Sequence, residues 1–118
     1  MNALREDADS LLPLPTATFH ILVSLAEEER HGYAIIKDVE TRSDLRLGPG
    51  TLYRSIQRML EDGLIVESRK RPAKALDDER RRYYRITPAG RDAARAELRR
   101  LAQLVRLGRE RGLEPESV

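Results

Sequence analysis

With 118 residues, 40% of them hydrophobic, 36% charged and 4% aromatic, the chain holds one domain's worth of protein and buries a core only where its apolar residues are concentrated. It has no cysteine, which removes disulfides, thiolate catalysis and thiolate-ligated zinc together. Its apolar runs, such as Ile21-Leu22-Val23, are far too short to span a bilayer, and a cytoplasmic protein is expected. The net charge of +2 conceals a division: residues 1–44 carry four Lys/Arg against nine Asp/Glu, residues 45–111 carry eighteen against nine, and the tail from Gly112 is acidic. Nineteen of the 22 basic residues are Arg, whose planar fork matches phosphate oxygens and guanine edges.

In chain order, residues 1–14 are acidic and run into a Leu-Pro-Leu-Pro string, which predicts a mobile arm. Thr16 is placed to cap a helix reaching about Glu28, with Phe19, Leu22, Val23 and Ala26 on one face. A break follows at residues 27–31, and Gly32, Ile35, Ile36 and Val39 then repeat the helical spacing to about Arg42. Leu45-Arg46-Leu47 alternates like a very short strand. Pro49 suits the first turn of a third helix that runs to about Asp62 and ends at Gly63 as a left-handed cap. Leu52, Ile56, Met59 and Leu60 form its buried stripe; Gly50, Thr51, Arg54, Gln57, Arg58 and Glu61 fall opposite.

Residues 64–70 and 81–86 read as an antiparallel hairpin with a long basic tip, interrupted by the acids Asp77, Asp78 and Glu79. Thr87-Pro88 then starts a helix reaching about Arg109, on which Ala94, Leu98, Leu101, Leu104 and Val105 form a narrow apolar seam. The fold class is therefore mainly α with a small β-hairpin. The polar face of the third helix presents donors over two turns, as reading of a DNA major groove requires: Arg pairs with guanine, Gln with adenine, and Thr with phosphate or a thymine methyl. A basic hairpin tip adds phosphate contacts that carry little sequence information. The competing reading is a solvated helix face with ion pairs to Glu61 and Asp62.

The strings His31-Gly32-Tyr33, Pro49-Gly50-Thr51-Leu52-Tyr53, Leu60-Glu61-Asp62-Gly63-Leu64-Ile65 and Arg81-Arg82-Tyr83-Tyr84-Arg85-Ile86-Thr87-Pro88-Ala89-Gly90 occur in an order and spacing that resembles the PadR family of winged-helix transcriptional regulators. The single last helix is similar to that of the short-form members. The resemblance implies a winged helix-turn-helix domain over residues 15–87, a dimerisation helix over 88–111 and a tail over 112–118. It also implies a homodimer on a palindromic double-stranded DNA operator, usually for repression, and in some members release by a small-molecule effector, here unidentified.

Carried onto this chain, the resemblance assigns Gly50, Thr51, Tyr53, Arg54, Gln57 and Arg58 to the recognition helix. The wing receives Arg71, Lys74, Arg80, Arg81 and Arg82, and dimerisation receives Ala94, Leu98, Leu101, Leu104 and Val105. Arg54 stands where many relatives have proline, and the wing acids also depart from the family pattern. His31 and Tyr33 open the second helix as candidate phosphate contacts, while His20 reads as structural. Tyr53, Tyr83 and Tyr84 suit packing with a hydroxyl at a polar edge, and Tyr53 suits a DNA contact as well. No nucleophile with a base, phosphate-cradling loop or metal-ligand set carries supporting motifs, so neither catalysis, a cofactor nor a metal is expected. The alternative function is a winged-helix protein-interaction module without sequence-specific DNA binding.

Overall fold

Helix α1 spans Thr16–Glu27. Its cap is Pro15, whose carbonyl accepts from the Phe19 N–H at 3.0 Å, so Thr16 is the first helical residue instead of the predicted cap. The computed structural model describes residues 8–69 and 82–114. Ile21, Leu22 and Leu25 of α1 are buried, and the helix lies at the centre of the molecule, packed against the other three helices and the sheet. Helix α2, Gly32–Arg42, contributes Ile35 and Val39, and α3, Pro49–Glu61, contributes Leu52, Ile56 and Met59 to the same core. These are the positions that helical periodicity selects, because only residues three or four apart share one side of a helix.

Strand β1 is the two-residue pair Arg30–His31, followed later by β2, Ile65–Ser68, and β3, Tyr83–Ile86. The sheet order is β1-β3-β2, with Arg30 opposite Tyr84 and Ile65 opposite Ile86. The hairpin strands thus fall where expected, but the predicted strand at residues 45–47 does not form. Leu45 and Leu47 instead pack into the core from an extended connection, and the third strand comes from the break after α1.

The α3–β2 turn is fixed by hydrogen bonds. Gly63 has φ +74°, the Gly63 N–H donates to Leu60 O at 3.2 Å, and the Leu64 N–H donates to Met59 O at 2.9 Å. This is a helix-ending pair that needs a left-handed residue, which glycine adopts without a Cβ clash. Helix α4, Pro88–Glu110, is capped by Thr87, whose Oγ1 accepts from the Gly90 N–H at 3.0 Å and donates to Gly63 O at 2.6 Å. One hydroxyl therefore joins the end of α3 to the start of α4. A Cβ on Gly90 would overlap the Leu64 carbonyl oxygen, so the contact between turn and helix depends on a missing side chain.

The mobile arm predicted for residues 1–14 requires correction over residues 8–14. Residues 8–10 form a helical turn, Ala8 and Leu14 are buried, and Leu11 and Leu12 pack against the core. Apolar burial outweighs the proline breaks here. Buried Glu97 of α4 adds a tie: it is hydrogen-bonded to Arg100 at 2.6 and 3.1 Å and to the backbone of Leu14. The Arg100 bonds, followed by its charge and the Leu14 N–H, hold the Glu97 carboxyl below the usual carboxylate range against the opposing effect of burial.

Candidate nucleic-acid interface

The outward side of α3 presents Gly50, Thr51, Tyr53, Arg54, Gln57 and Arg58, all exposed, because Leu52, Ile56 and Met59 commit the opposite side to the core. The polar groups are loosely tethered. Arg54 Nη2 lies 3.5 Å from Thr51 Oγ1, Gln57 Nε2 lies 3.5 Å from Glu61 Oε1, and Arg58 Nε lies 4.0 Å from Asp62 Oδ2. Exposed contacts of this length contribute little stability, so the side chains are available to a partner with better geometry. The Arg58–Asp62 ion pair of the competing reading exists but is weak, and Glu61 is met by the uncharged Gln57.

Helix α2 meets α3 at Gly32, where a Cβ would come within 2.6 Å of Tyr53 Oη and 3.2 Å of Leu52 Cδ2. Tyr53 consequently packs its hydroxyl end over the start of α2 while remaining 53% exposed. Tyr84 is buried, and burial pushes its phenol above the usual range. His31 caps α2: its Nδ1 accepts from the Ala34 N–H at 3.1 Å, and its ring meets Tyr83 edge-on at 5.2 Å between centroids. The Nδ1 atom is thus occupied within the protein. Tyr33, beside it, is exposed and lies under Lys37 Nζ, 5.8 Å from the ring centroid.

Sequence reasoning missed the polar joint that holds α1 to α2. Arg30, only 14% exposed at its side chain, reaches Glu27 at 2.9 Å, Glu28 at 3.5 Å and Asp38 at 3.8 Å, and its Nε donates to Ser24 O at 3.1 Å. Asp38 also binds Arg42 at 2.7 Å, and that hydrogen bond leads the effects that hold its carboxyl below the normal value. The only local signal was a charge-rich break; the partners become apparent once β1 turns Arg30 back over the helices.

Of the wing residues named from sequence, Arg82 is exposed and pairs with Glu67 at 3.6 Å. Arg71, Lys74, Arg80 and Arg81 lie outside the described residues, as do the acids at 77–79. On α4 the seam divides. Ala94 packs against its own core and Leu101 is half-buried, whereas Leu98, Leu104 and Val105 are exposed, as is Leu107. Among the described residues no helix is long and apolar enough to cross a membrane.

Three helices with the third presented outward, and a three-stranded sheet behind it, define a winged helix-turn-helix protein. The profile of the transcriptional regulator PadR-like family matches residues 21–96, and the chain belongs to that family. A curated transcriptional regulator of Mycobacterium tuberculosis is 39% identical over 87 residues, covering 74% of this chain and 77% of the relative. A PadR family transcription regulator from hypervirulent Clostridium difficile R20291 superposes with a TM-score of 0.72 and 25% identity, over 81% of this chain and 97% of that one. Bacillus subtilis PadR in complex with operator DNA shares the fold, with a TM-score of 0.61 at 18% identity over 73% of this chain and 47% of that one.

Proposed function

We propose that this protein is a cytoplasmic, sequence-specific double-stranded DNA-binding repressor that occupies a palindromic operator as a homodimer. The observation that carries the reading is the outward side of α3, where Thr51, Arg54, Gln57 and Arg58 stand exposed in successive turns with only weak internal partners. An α-helix with this donor set fits a major groove about 12 Å wide. The family membership and the operator complex of the Bacillus subtilis relative support it. Tyr33 is the better placed of the two candidate phosphate contacts, because His31 Nδ1 serves the cap of α2. Arg82 and the basic residues Arg71, Lys74, Arg80 and Arg81, which lie between β2 and β3 in the sequence, supply sequence-independent attraction.

The apolar exposure of α4 supports dimerisation through this helix. Leu98 and Leu104 are each more than half exposed, and Val105, seven residues on from Leu98, extends that surface; such a patch on a charge-rich helix suits a second copy of itself. Selection of duplexes from a random library at stated salt tests specificity and two-fold symmetry together. Arg58→Ala costs about 1–3 kcal/mol on the selected duplex and relaxes preference at one base position, whereas Lys74→Ala weakens all duplexes alike and lowers the salt slope by about 1. Equal losses on selected and random DNA for both variants would overturn the assignment.

A further inference from the structure

Helix α4 carries, beside its apolar seam, a row of arginines. Arg91, Arg95, Arg99, Arg106 and Arg109, with Ala102 in the remaining place, follow at steps of four, four, three, four and three residues. At about 100° and 1.5 Å per residue, they share one side of the helix within an arc of about 80° and a length of about 27 Å. All six are exposed, because Ala93, Ala96 and Glu97 turn the opposite side to the core. No acid falls within the row. Its contacts are few and loose. Arg91 donates to Ala26 O at 3.4 Å, Arg95 lies 3.3 Å from Asp92, and Arg109 lies 3.4 Å from Glu114. Among the described residues, the Arg99 and Arg106 side chains have neither hydrogen bond nor ion pair. Like charges three or four apart weaken a helix, and an anion laid along the row removes that repulsion.

The chain's own acids do not match the row. Residues 1–7 carry two acids against Arg5, and residues 112–118 carry two, of which Glu114 already meets Arg109. A second copy of α4 offers Glu97, buried on Arg100, and Asp92, already beside Arg95. An anionic membrane also fits poorly: an interfacial helix needs an apolar side opposite its charges, and on α4 that side is the protein's own core. A nucleic-acid strand presents what the row lacks, one phosphate every 3.4 Å or so of duplex axis, and the Arg fork matches phosphate oxygens. Both α3 and α4 pack on α1 and turn their outward sides away from it, so the row and the reading side are separate surfaces. We infer that the arginine row of α4 binds the phosphate backbone of a second DNA duplex without reading its sequence, so that the protein holds two duplexes at once. That the duplex is a second one rests on the function proposed above; the binding by the row does not.

The test uses the full chain in two assays: salt titration of a random 20-base-pair duplex, and capture of that duplex, labelled, by protein already loaded on an immobilised selected duplex. Each phosphate neutralised contributes about 0.9 to the salt slope. Arg99→Gln with Arg106→Gln, both exposed and tolerated by a helix, lowers the slope by about 2 and abolishes capture, while preference for the selected duplex and helical circular dichroism are kept. Ala102→Arg, which completes the row, raises the slope by about 1 and strengthens capture; Gln103→Arg, exposed but about 100° further round, adds less than half as much. No capture by the unmodified protein, capture indifferent to Arg99 and Arg106, or equal gains from Ala102→Arg and Gln103→Arg would overturn the inference. So would polyglutamate or phosphatidylglycerol vesicles held by the row more tightly than DNA. Random-duplex binding that depends on Arg99 and Arg106, in a protein without sequence preference, would uphold the row and refute the proposed function.

Discussion

Replacing Gly90 by alanine sets the packing argument against helix propensity, because the two predict opposite signs. The added methyl would overlap Leu64 O, lie 2.9 Å from Ile86 Cγ1 and lie 3.1 Å from Leu64 C. The carbonyl is not free to retreat: Leu64 O accepts from the Thr87 N–H at 3.1 Å, while the Leu64 N–H is held by Met59 O at 2.9 Å. Overpacking of this kind costs about 1–3 kcal/mol, and straining or losing one hydrogen bond adds roughly 1. The helix-forming advantage of alanine over glycine returns at most about 1 kcal/mol. A net destabilisation of about 1–3 kcal/mol is expected. Gly108 on the same helix supplies the control, because its Cβ would meet nothing nearer than Leu113 Cβ at 4.0 Å; Gly108→Ala should be neutral or stabilising by up to about 1 kcal/mol. Urea titration of both variants at one fixed protein concentration, chosen because any self-association would shift apparent stability, reads the difference. If Gly90→Ala is as stable as Gly108→Ala, the close approach of Leu64 to α4 is wrong.

Glu97→Gln should lower stability at neutral pH by about 1–2 kcal/mol, since the Arg100 guanidinium exchanges a carboxylate partner for a neutral amide. Because the folded state holds this carboxyl below its ordinary value of 4.5, its contribution is present in full above that value and fades as pH falls through the folded pKa. Thermal melts of the two proteins should therefore converge on acidification below about pH 4, and a gap that stays constant down to pH 2.5 counts against the ion pair. Leu98→Lys with Leu104→Lys should raise the dimer dissociation constant at least tenfold in sedimentation while the helical circular dichroism is retained; an unchanged constant removes α4 as the interface. Gly32→Val should displace Tyr53 and reduce duplex affinity, and adding Tyr53→Phe should restore part of the loss by removing the atom that would sit 2.6 Å from the new Cβ; no recovery in the double variant refutes the contact.

The sequence was most legible where structure is set by neighbours a few residues away. The outward side of α3, its glycine stop and the Thr87-Pro88 start of α4 all follow from helical period and end chemistry, which are local. The features that escaped depend on distant partners. Two residues are too few to show a strand's alternation, so β1 exists only because Tyr83 and Tyr84 lie opposite it. Leu45 and Leu47 have a strand-like pattern but no neighbouring strand, and burial takes them instead. The proline-rich segment before α1 looked free because prolines were weighed and the leucines between them were not. The α4 seam was read as one surface, yet the helix passes from its own core at Ala94 to solvent at Leu98, a transition that depends on where the domain ends. For the candidate interface, the residue set on α3 was legible, while the role of His31 as a cap and the Arg30 joint required the folded chain.

The Thr87 hydroxyl, bonded at once to Gly63 O and the Gly90 N–H, makes a short bracket between the end of α3, the proposed reading helix, and the long helix that would carry a twin subunit. A pair of such subunits would behave as a rigid caliper instead of two heads on flexible necks. One base pair inserted at the operator's midpoint moves a half-site by about 3.4 Å and turns it by about 35°, more than a bracket of this kind can follow. Operators recognised by this protein should therefore tolerate substitutions at their centre far better than changes in length.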